Sequence, residues 1–233
     1  MARRDKFHRR LTKRSRCLNP DQDVQKEFLV EGPEDARQTL LLAHGAGAPM
    51  DSPFLSRVSA GLSERGIRTV RFEFPYMARR RELSGRGRGA PDRPPVLMAR
   101  WKEVVERFGG GPRVAVGGKS LGGRIASMIA DEVGARGLVC LGYPFHPPAD
   151  PSRLRTAHLE TLRTPALIVQ GTRDAFGGRG EVEGYRLSPA IRVAWIEDGD
   201  HSFKPRTRSG RTEAGNLAEA IAAVGDFLDT LPA

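Results

Sequence analysis

The sequence contains little cysteine and has no long hydrophobic run. Its two cysteines, Cys17 and Cys140, are too few for a disulfide framework or a zinc cluster, and they suit a reducing compartment. No apolar segment approaches the roughly 20 residues that a membrane-spanning helix needs. The basic N-terminus lacks the hydrophobic stretch of a signal peptide. We therefore expect a cytoplasmic protein without a membrane partner.

Acidic residues are scarce at the N-terminal end, so the charge is unevenly placed. The formal net charge is +10, from 38 basic and 28 acidic side chains. Residues 1–16 contain eight Arg or Lys and one acid, a net +7, which leaves +3 for the rest of the chain. This excludes a uniformly basic nucleic-acid-binding body. We expect a basic, disordered tail over residues 1–22, with at most weak affinity for nucleic acid, and one domain over residues 23–233.

Short apolar runs alternate with amphipathic stretches along the remaining chain. The runs are rich in branched residues, as expected of strands that are buried on both faces. They cover residues 27–30, 39–43, 67–74, 113–116, 138–141, 166–170 and 191–196. The alternation predicts an α/β fold, with a mostly parallel sheet of about seven strands and helices on both faces. Residues 77–95 have no apolar period and are predicted to form one long loop.

The fourth run leads into a glycine-rich turn that carries a serine. Gly118, Ser120 and Gly122 form the pattern G-x-S-x-G between an apolar strand and a helix of small residues. Such a turn exposes the serine hydroxyl, and its glycines let neighbouring backbone pass closely. A phosphate-binding loop is the competing interpretation of Gly118-Lys119-Ser120, but its pattern requires glycine where Arg113 stands. The context favours a nucleophilic serine.

An acid and a histidine follow later strands, in the chain order that a serine hydrolase of this architecture uses. Asp174 comes just after the sixth run, and His201 lies in the loop after the seventh. His201 would accept the Ser120 proton, and Asp174 would fix the histidine tautomer. Asp198 and Asp200 are rival acids. They are close to His201 in sequence and are also typical of a polar loop that hydrogen-bonds to itself.

Small residues after the second run predict an oxyanion site. The segment His44-Gly45-Ala46-Gly47-Ala48 carries little side-chain bulk, so its backbone N–H groups can point at a developing negative charge. We expect the donors to be the N–H groups of Ala46 and of Leu121, the residue after the nucleophile. His44 is expected to brace this loop.

Together these motifs resemble those of the α/β-hydrolase superfamily, over roughly residues 24–231. LLAHGAG, FEFPYM, GGKSLGGRIAS, GYPFHPP, LIVQGTRDAFG and EDGDHSFKPR are similar to one small group of bacterial predicted hydrolases. Its animal relatives include a testis-expressed protein and a scaffold subunit of the NSL histone-acetyltransferase complex. The resemblance implies the fold and a hydrolase, with Ser120, Asp174 and His201 at the triad positions. It implies no substrate.

The leading prediction is a serine hydrolase of carboxylesterase or thioesterase type. It would cleave an ester, thioester or related acyl bond of a small molecule through an acyl-enzyme on Ser120, without metal or organic cofactor. Only residues 142–164 separate the fifth run from the sixth, where cap domains are commonly inserted, so we expect a minimal lid. A non-catalytic interaction scaffold is the alternative, and the intact triad argues against it. The sequence does not indicate an oligomeric state.

Basic residues near the expected pocket mouth predict a charge preference. Ligands of such sheets bind beyond the carboxyl ends of the strands. The segment 77–95 follows the third run, and the segment 202–212 follows the seventh; both are rich in arginine and poor in acids. We expect a substrate-binding role for four cations and a preference for anionic substrates. The four are Arg79, Arg80, Arg81 and Lys204.

Overall fold

A seven-stranded sheet runs through the computed structural model, which describes residues 27–83 and 90–232. The strands are β1 (Phe28–Glu31), β2 (Thr39–Ala43), β3 (Arg68–Phe72), β4 (Ala115–Lys119), β5 (Gly137–Leu141), β6 (Ala166–Gly171) and β7 (Ile191–Ile196). Their spatial order is β1-β3-β2-β4-β5-β6-β7. β1 is antiparallel to β3, and all other neighbours are parallel. The mostly parallel sheet predicted from the apolar runs is confirmed.

Helices cover both faces of this sheet, as predicted. They are α1 (Pro53–Glu64), α2 (Pro75–Glu82), α3 (Pro94–Arg107), α4 (Leu121–Ile129), α5 (Arg179–Val182) and α6 (Glu213–Thr230). The buried apolar residues of α3 and α4 belong to one hydrophobic cluster, and those of α6 belong to a second, together with Val58 and Leu62 of α1. β2 shows why its sequence is apolar throughout. Leu41 packs into the first cluster, while Leu40 and Leu42, on the opposite face, pack into the second.

The prediction of one long loop over residues 77–95 is wrong at both ends. α2 includes residues 77–82, and α3 begins at Pro94. Only Tyr76 and Met77 of α2 are buried, so this helix leaves no apolar period in the sequence. Proline opens both helices, because its missing N–H would have no partner in the first turn. Residues 84–89 lie outside the described residues.

The connection from β5 to β6 is short and carries little regular structure. Within residues 142–165 the chain forms one 3₁₀ turn, Ala157–Leu159. The expected minimal lid is therefore confirmed. The predicted tail, residues 1–22, lies outside the described residues, so the domain boundary stays a prediction. Among residues 27–83 and 90–232, no helix combines the length and hydropathy needed to cross a membrane.

Candidate active site

The turn from β4 into α4 places Ser120 at the carboxyl edge of the sheet. Ser120 has φ of +51°, in the left-handed region that non-glycine residues rarely adopt. The backbone packs tightly around it. A Cβ atom at Gly118 or at Gly122 would lie 2.3 Å from the carbonyl oxygen of Ala43. Both positions therefore require glycine, and the turn presents the Ser120 side chain beyond the strand ends.

The three predicted triad residues form one hydrogen-bonded chain. His201 Nε2 lies 2.9 Å from Ser120 Oγ, and His201 Nδ1 lies 2.8 Å from Asp174 Oδ2. Because the carboxylate accepts from Nδ1–H, Nε2 is left to accept from the serine hydroxyl. The loops after β4, β6 and β7 thus bring together a nucleophile, a base and an acid that are far apart in sequence. This geometry has the form needed for nucleophilic catalysis.

A buried glutamine, which our sequence analysis did not identify, holds the Asp174 carboxylate. Gln170 Nε2 lies 3.0 Å from Asp174 Oδ2, 3.1 Å from the Tyr143 carbonyl oxygen and 3.0 Å from that of Gly177. Gln170 Oε1 accepts from the Tyr143 amide at 2.7 Å. The second carboxylate oxygen of Asp174 accepts from the Phe176 amide at 2.9 Å. The only signal in the sequence is a polar residue at the end of an otherwise apolar run.

The rival acids, Asp198 and Asp200, form hydrogen bonds within the loop that carries His201. Asp198 accepts from the amide and the side chain of Arg206, both at 2.7 Å, and these bonds lower the pKa of Asp198 to about 2. Asp200 Oδ1 accepts from the backbone amides of Ser202 at 2.8 Å and Lys204 at 3.0 Å. Neither carboxylate is hydrogen-bonded to the histidine ring in the described structure. Both match the polar-loop interpretation.

The loop after β2 passes directly beside the nucleophile. A Cβ atom at Gly45 would lie 3.8 Å from Ser120 Cβ. Side chains hold the loop carbonyls: His44 Nδ1 donates to the Gly45 oxygen at 2.7 Å, and Tyr76 donates to the Ala46 oxygen at 3.1 Å. His44 Nε2 accepts from the Phe74 amide at 3.1 Å, so its ring is neutral, and burial lowers the pKa of His44. His44 braces the loop as expected.

The backbone amides of Leu121 and Ala46, which the sequence predicts as oxyanion donors, have no acceptor among the described residues. Leu121 is the first residue of α4, so its N–H has no acceptor within the helix. It also lies at the positive end of the helix dipole. Within the described structure, the Ala46 amide donates no hydrogen bond. Leu121 directly follows Ser120 in the chain, and Ala46 follows Gly45, which lies beside Ser120.

A cavity of about 470 Å³ lies beside Ser120 and His201. Its wall includes residues 45–48 and the start of α1 with Phe54. Phe176 also lines it, with its ring centroid 4.2 Å from that of His201. A volume of this size suits a small molecule.

Lys119, next to the nucleophile, lines this cavity and was not among our predicted site residues. Its Nζ donates to the His201 carbonyl oxygen at 2.6 Å and lies 5.6 Å from the centroid of the Phe54 ring. Burial lowers the pKa of Lys119 to about 8. In the sequence, Lys119 occupies a position of G-x-S-x-G that the pattern leaves unspecified.

Two of the four predicted substrate-binding cations are engaged in ion pairs. Arg79 contacts Asp92 at 2.7 Å. Arg81 contacts Glu73 at 2.6 Å and Asp51 at 2.9 Å, and it lowers the pKa of the Asp51 carboxyl. Asp51 and Glu73, the acids that pair with Arg81, lie outside the segment 77–95. The charges within that segment therefore gave no sign of them.

The other two predicted cations lie near residues that line the cavity. Arg80 Nη1 is 3.5 Å from the Ala46 carbonyl oxygen, and its guanidinium lies 5.2 Å from the centroid of the Tyr76 ring. Lys204 lines a second cavity, of about 310 Å³, which shares Phe54 and Ser202 with the first. Among the described residues, none of the four predicted cations lines the cavity at Ser120.

The described residues offer no ligand set for a metal ion. No group of three or more His, Cys, Asp or Glu side chains has a suitable arrangement within residues 27–83 and 90–232. Cys140 is buried in β5, and its burial raises the pKa of the thiol.

Comparisons with known proteins agree with this architecture. A family model described as an alpha/beta hydrolase domain matches residues 36–229. A dienelactone hydrolase from Anabaena variabilis has a TM-score of 0.66 and 21% sequence identity, covering 88% of this chain and 92% of that one. An α/β serine hydrolase without lid from Xanthomonas campestris has a TM-score of 0.62 and 20% identity, covering 88% and 89%. A serine hydrolase homologue from Coxiella burnetii has a TM-score of 0.61 and 19% identity, covering 85% and 89%.

Proposed function

Because the chain belongs to the α/β-hydrolase family, we propose that it is a serine hydrolase with Ser120 as its nucleophile. Its substrate would be a small molecule with an ester, thioester or related acyl bond, as expected of a carboxylesterase or thioesterase. The observation that carries this proposal is the chain from Ser120 through His201 to Asp174, with contacts of 2.9 and 2.8 Å. A serine hydroxyl becomes a useful nucleophile when a positioned base can take its proton.

The first half of the reaction forms the acyl-enzyme. Ser120 Oγ attacks the acyl carbonyl carbon while His201 Nε2 takes the hydroxyl proton. The carbonyl π electrons move to oxygen, and the N–H groups of Ala46 and Leu121 stabilise that oxyanion. Asp174 stabilises the imidazolium. When the tetrahedral intermediate collapses, the bond to the leaving oxygen or sulfur breaks, and His201 gives its proton to the departing group.

The second half of the reaction releases the acid. A water molecule takes the place of the leaving group, and His201 Nε2 accepts one of its protons as its oxygen attacks the acyl carbon. The same two amides stabilise the second tetrahedral intermediate. Collapse breaks the bond to Ser120 Oγ, which recovers its proton from His201. The proton transfers use Ser120, His201 and Asp174, which are already joined by hydrogen bonds.

We propose two finer assignments. The motifs around Ser120, Asp174 and His201 support kinship with the small bacterial hydrolase group that is related to the testis-expressed protein and the NSL subunit. The sequence features that suit a reducing compartment support a cytoplasmic location. Neither assignment is needed for the chemistry.

Hydrolysis of a panel of esters and thioesters tests the proposed function. The panel varies acyl length and charge, and the proteins are wild type, Ser120→Ala and, as a matched control, Ser63→Ala near the far end of α1. We expect turnover by wild type and the control, and none by Ser120→Ala at an unchanged melting temperature. Turnover by Ser120→Ala, or a wild type inactive on the whole panel, would contradict the proposal. An inactive wild type would favour the scaffold alternative.

A further inference from the structure

The cavity beside Ser120 has an unbalanced charge. Among the described residues that line it, Lys119 is the one Lys or Arg side chain, and no Asp or Glu is present. The rest of the wall consists of small residues, two phenylalanines, two other serines, a proline and His201. Because no carboxylate lines the cavity itself, the Lys119 ammonium creates a local positive potential in it, which attracts anions.

The Lys119 ammonium has unused hydrogen-bonding capacity. An ammonium group has three N–H donors, and within the described structure the one acceptor for Lys119 is the His201 carbonyl oxygen, at 2.6 Å. No described carboxylate lies within ion-pair distance of it. The Phe54 ring, 5.6 Å away, offers a favourable face to the charge but no acceptor. Two of its N–H donors therefore have no acceptor among the described residues.

Other cations near the cavity do not offer the same opportunity. Arg81 is held by two carboxylates and Arg79 by one. Lys204 lines the neighbouring cavity. Among the Lys and Arg residues that the structure describes, Lys119 is the one that both lines the cavity and hydrogen-bonds to His201, the residue that contacts Ser120.

We infer that Lys119 binds a carboxylate of the substrate, so that the preferred acyl compound carries a carboxylate a few bonds from the scissile carbonyl. This inference rests on the proposed function and names the substrate class for the same site. A single ammonium matches a monoanion. A phosphate dianion would bring a second negative charge that no other Lys or Arg in the described lining compensates.

The pKa of Lys119 gives the inference a pH signature. Burial lowers it to about 8, while the negative charges of Asp174 and Asp200 raise it; His201 is the other titratable group in contact. The ammonium is charged below this pKa and neutral above it. Preference for an anionic substrate should therefore weaken as pH rises from 7 to 9.

A positioning role for Lys119 predicts a different result. Through its bond to the His201 carbonyl, Lys119 could orient the histidine loop without touching substrate. Losing that bond would lower kcat for neutral and anionic substrates by the same factor. Losing a carboxylate partner would change KM for the anionic substrate and alter the ratio between the two.

The test uses two para-nitrophenyl esters of equal chain length, the neutral hexanoate and the anionic mono-ester of adipate. The measured quantity is kcat/KM for adipate divided by kcat/KM for hexanoate. Lys119→Met removes the charge and Lys119→Arg keeps it. Lys102→Met is the matched control, because Lys102 lies on α3 and pairs with Glu132. Melting temperatures show whether each variant is folded. Lys119→Gln is a second neutral variant, for use if Lys119→Met does not fold.

We expect the ratio to exceed one in wild type and to fall about ten- to hundredfold in Lys119→Met, the size of a charged hydrogen bond. Lys119→Arg should retain part of the ratio, and Lys102→Met should leave it unchanged. An unchanged ratio in Lys119→Met, including an equal loss on both esters, overturns the inference while the proposed function stands. Absence of turnover on both esters by wild type overturns the proposed function as well.

Discussion

Ser120 adopts a backbone conformation that few serines do, and the surrounding packing maintains it. Its φ of +51° carries a strain of order 1–3 kcal/mol, which must be offset by the fold. This conformation places the Ser120 hydroxyl beyond the strand ends, with Oγ 2.9 Å from His201 Nε2. On the other side of that ring, Asp174 is fully buried and accepts three hydrogen bonds, which fixes its orientation.

Replacing the acid of the triad should stop catalysis while preserving the fold. In Asp174→Asn the amide would favour the wrong tautomer of His201, so we expect kcat to fall about ten-thousandfold. Asp200→Asn is the matched control, because its side-chain oxygen can still accept the two loop amides. Steady-state kinetics on one active ester measure both variants. An equal loss in both would mean that Asp174 has no special role.

The neutral state of His44 predicts a loss of stability in mild acid. The pKa of His44 is lowered in the folded protein. Between about pH 6.5 and 5, the unfolded chain therefore binds a proton at His44 that the folded protein does not bind. The free energy of unfolding should fall as pH decreases, by up to about 1.4 kcal/mol per pH unit for one such group. The pKa of Asp51 and that of Asp198 are lowered from 3.8. Protonation of these two carboxyls therefore changes the free energy of unfolding only at a pH below this range.

Urea unfolding from pH 7 to 5 measures this effect. His158, whose pKa burial also lowers, contributes to the same slope. His44→Gln keeps an acceptor for the Phe74 amide and removes one titrating group, so its stability should depend less steeply on pH. Parallel slopes for wild type and His44→Gln would show that His44 does not titrate in this range.

Backbone atoms pack closely where β2, β4 and α4 meet, because a Cβ atom at Gly122 would lie 2.3 Å from the Ala43 carbonyl oxygen. We expect Gly122→Ala to destabilise the protein by about 3 kcal/mol or more, because its Cβ would meet backbone that cannot move aside. Gly180→Ala in α5 is the control; nothing lies within 4 Å of its Cβ, so the change should stay within about 0.5 kcal/mol. Urea unfolding measures the free energy of unfolding of both variants. Similar values for the two would contradict the expected clash at Gly122.

The strands and the triad could be predicted from sequence because both leave local signals. Strands buried on both faces are apolar throughout, as in β2, and each triad residue follows such a run. α2 left no signal, since only two of its residues are buried. Gln170 and Lys119 were missed for another reason. Their roles depend on hydrogen bonds to the distant residues Tyr143 and His201, which no local pattern encodes.

At the scale of the whole chain, the strongly basic N-terminal residues lie outside the matched family region. Residues 1–16 carry +7 of the +10, and the family model begins at residue 36. We predict that deleting residues 1–16 removes any weak, salt-dependent binding to duplex DNA and leaves kcat/KM on an active ester unchanged. Fluorescence anisotropy at low salt measures binding. A truncated chain that binds DNA as well as the full chain would place the contact on the domain.

The proposed hydrolysis depends on Ser120 acting as an activated nucleophile. Treatment with a fluorophosphonate, followed by intact-mass and peptide analysis, tests this without knowledge of the substrate. We expect wild type to gain one phosphonyl group on Ser120, Ser120→Ala to gain none, and His201→Gln to react much more slowly. A folded wild type that never reacts, or a label found equally in Ser120→Ala, would contradict the account.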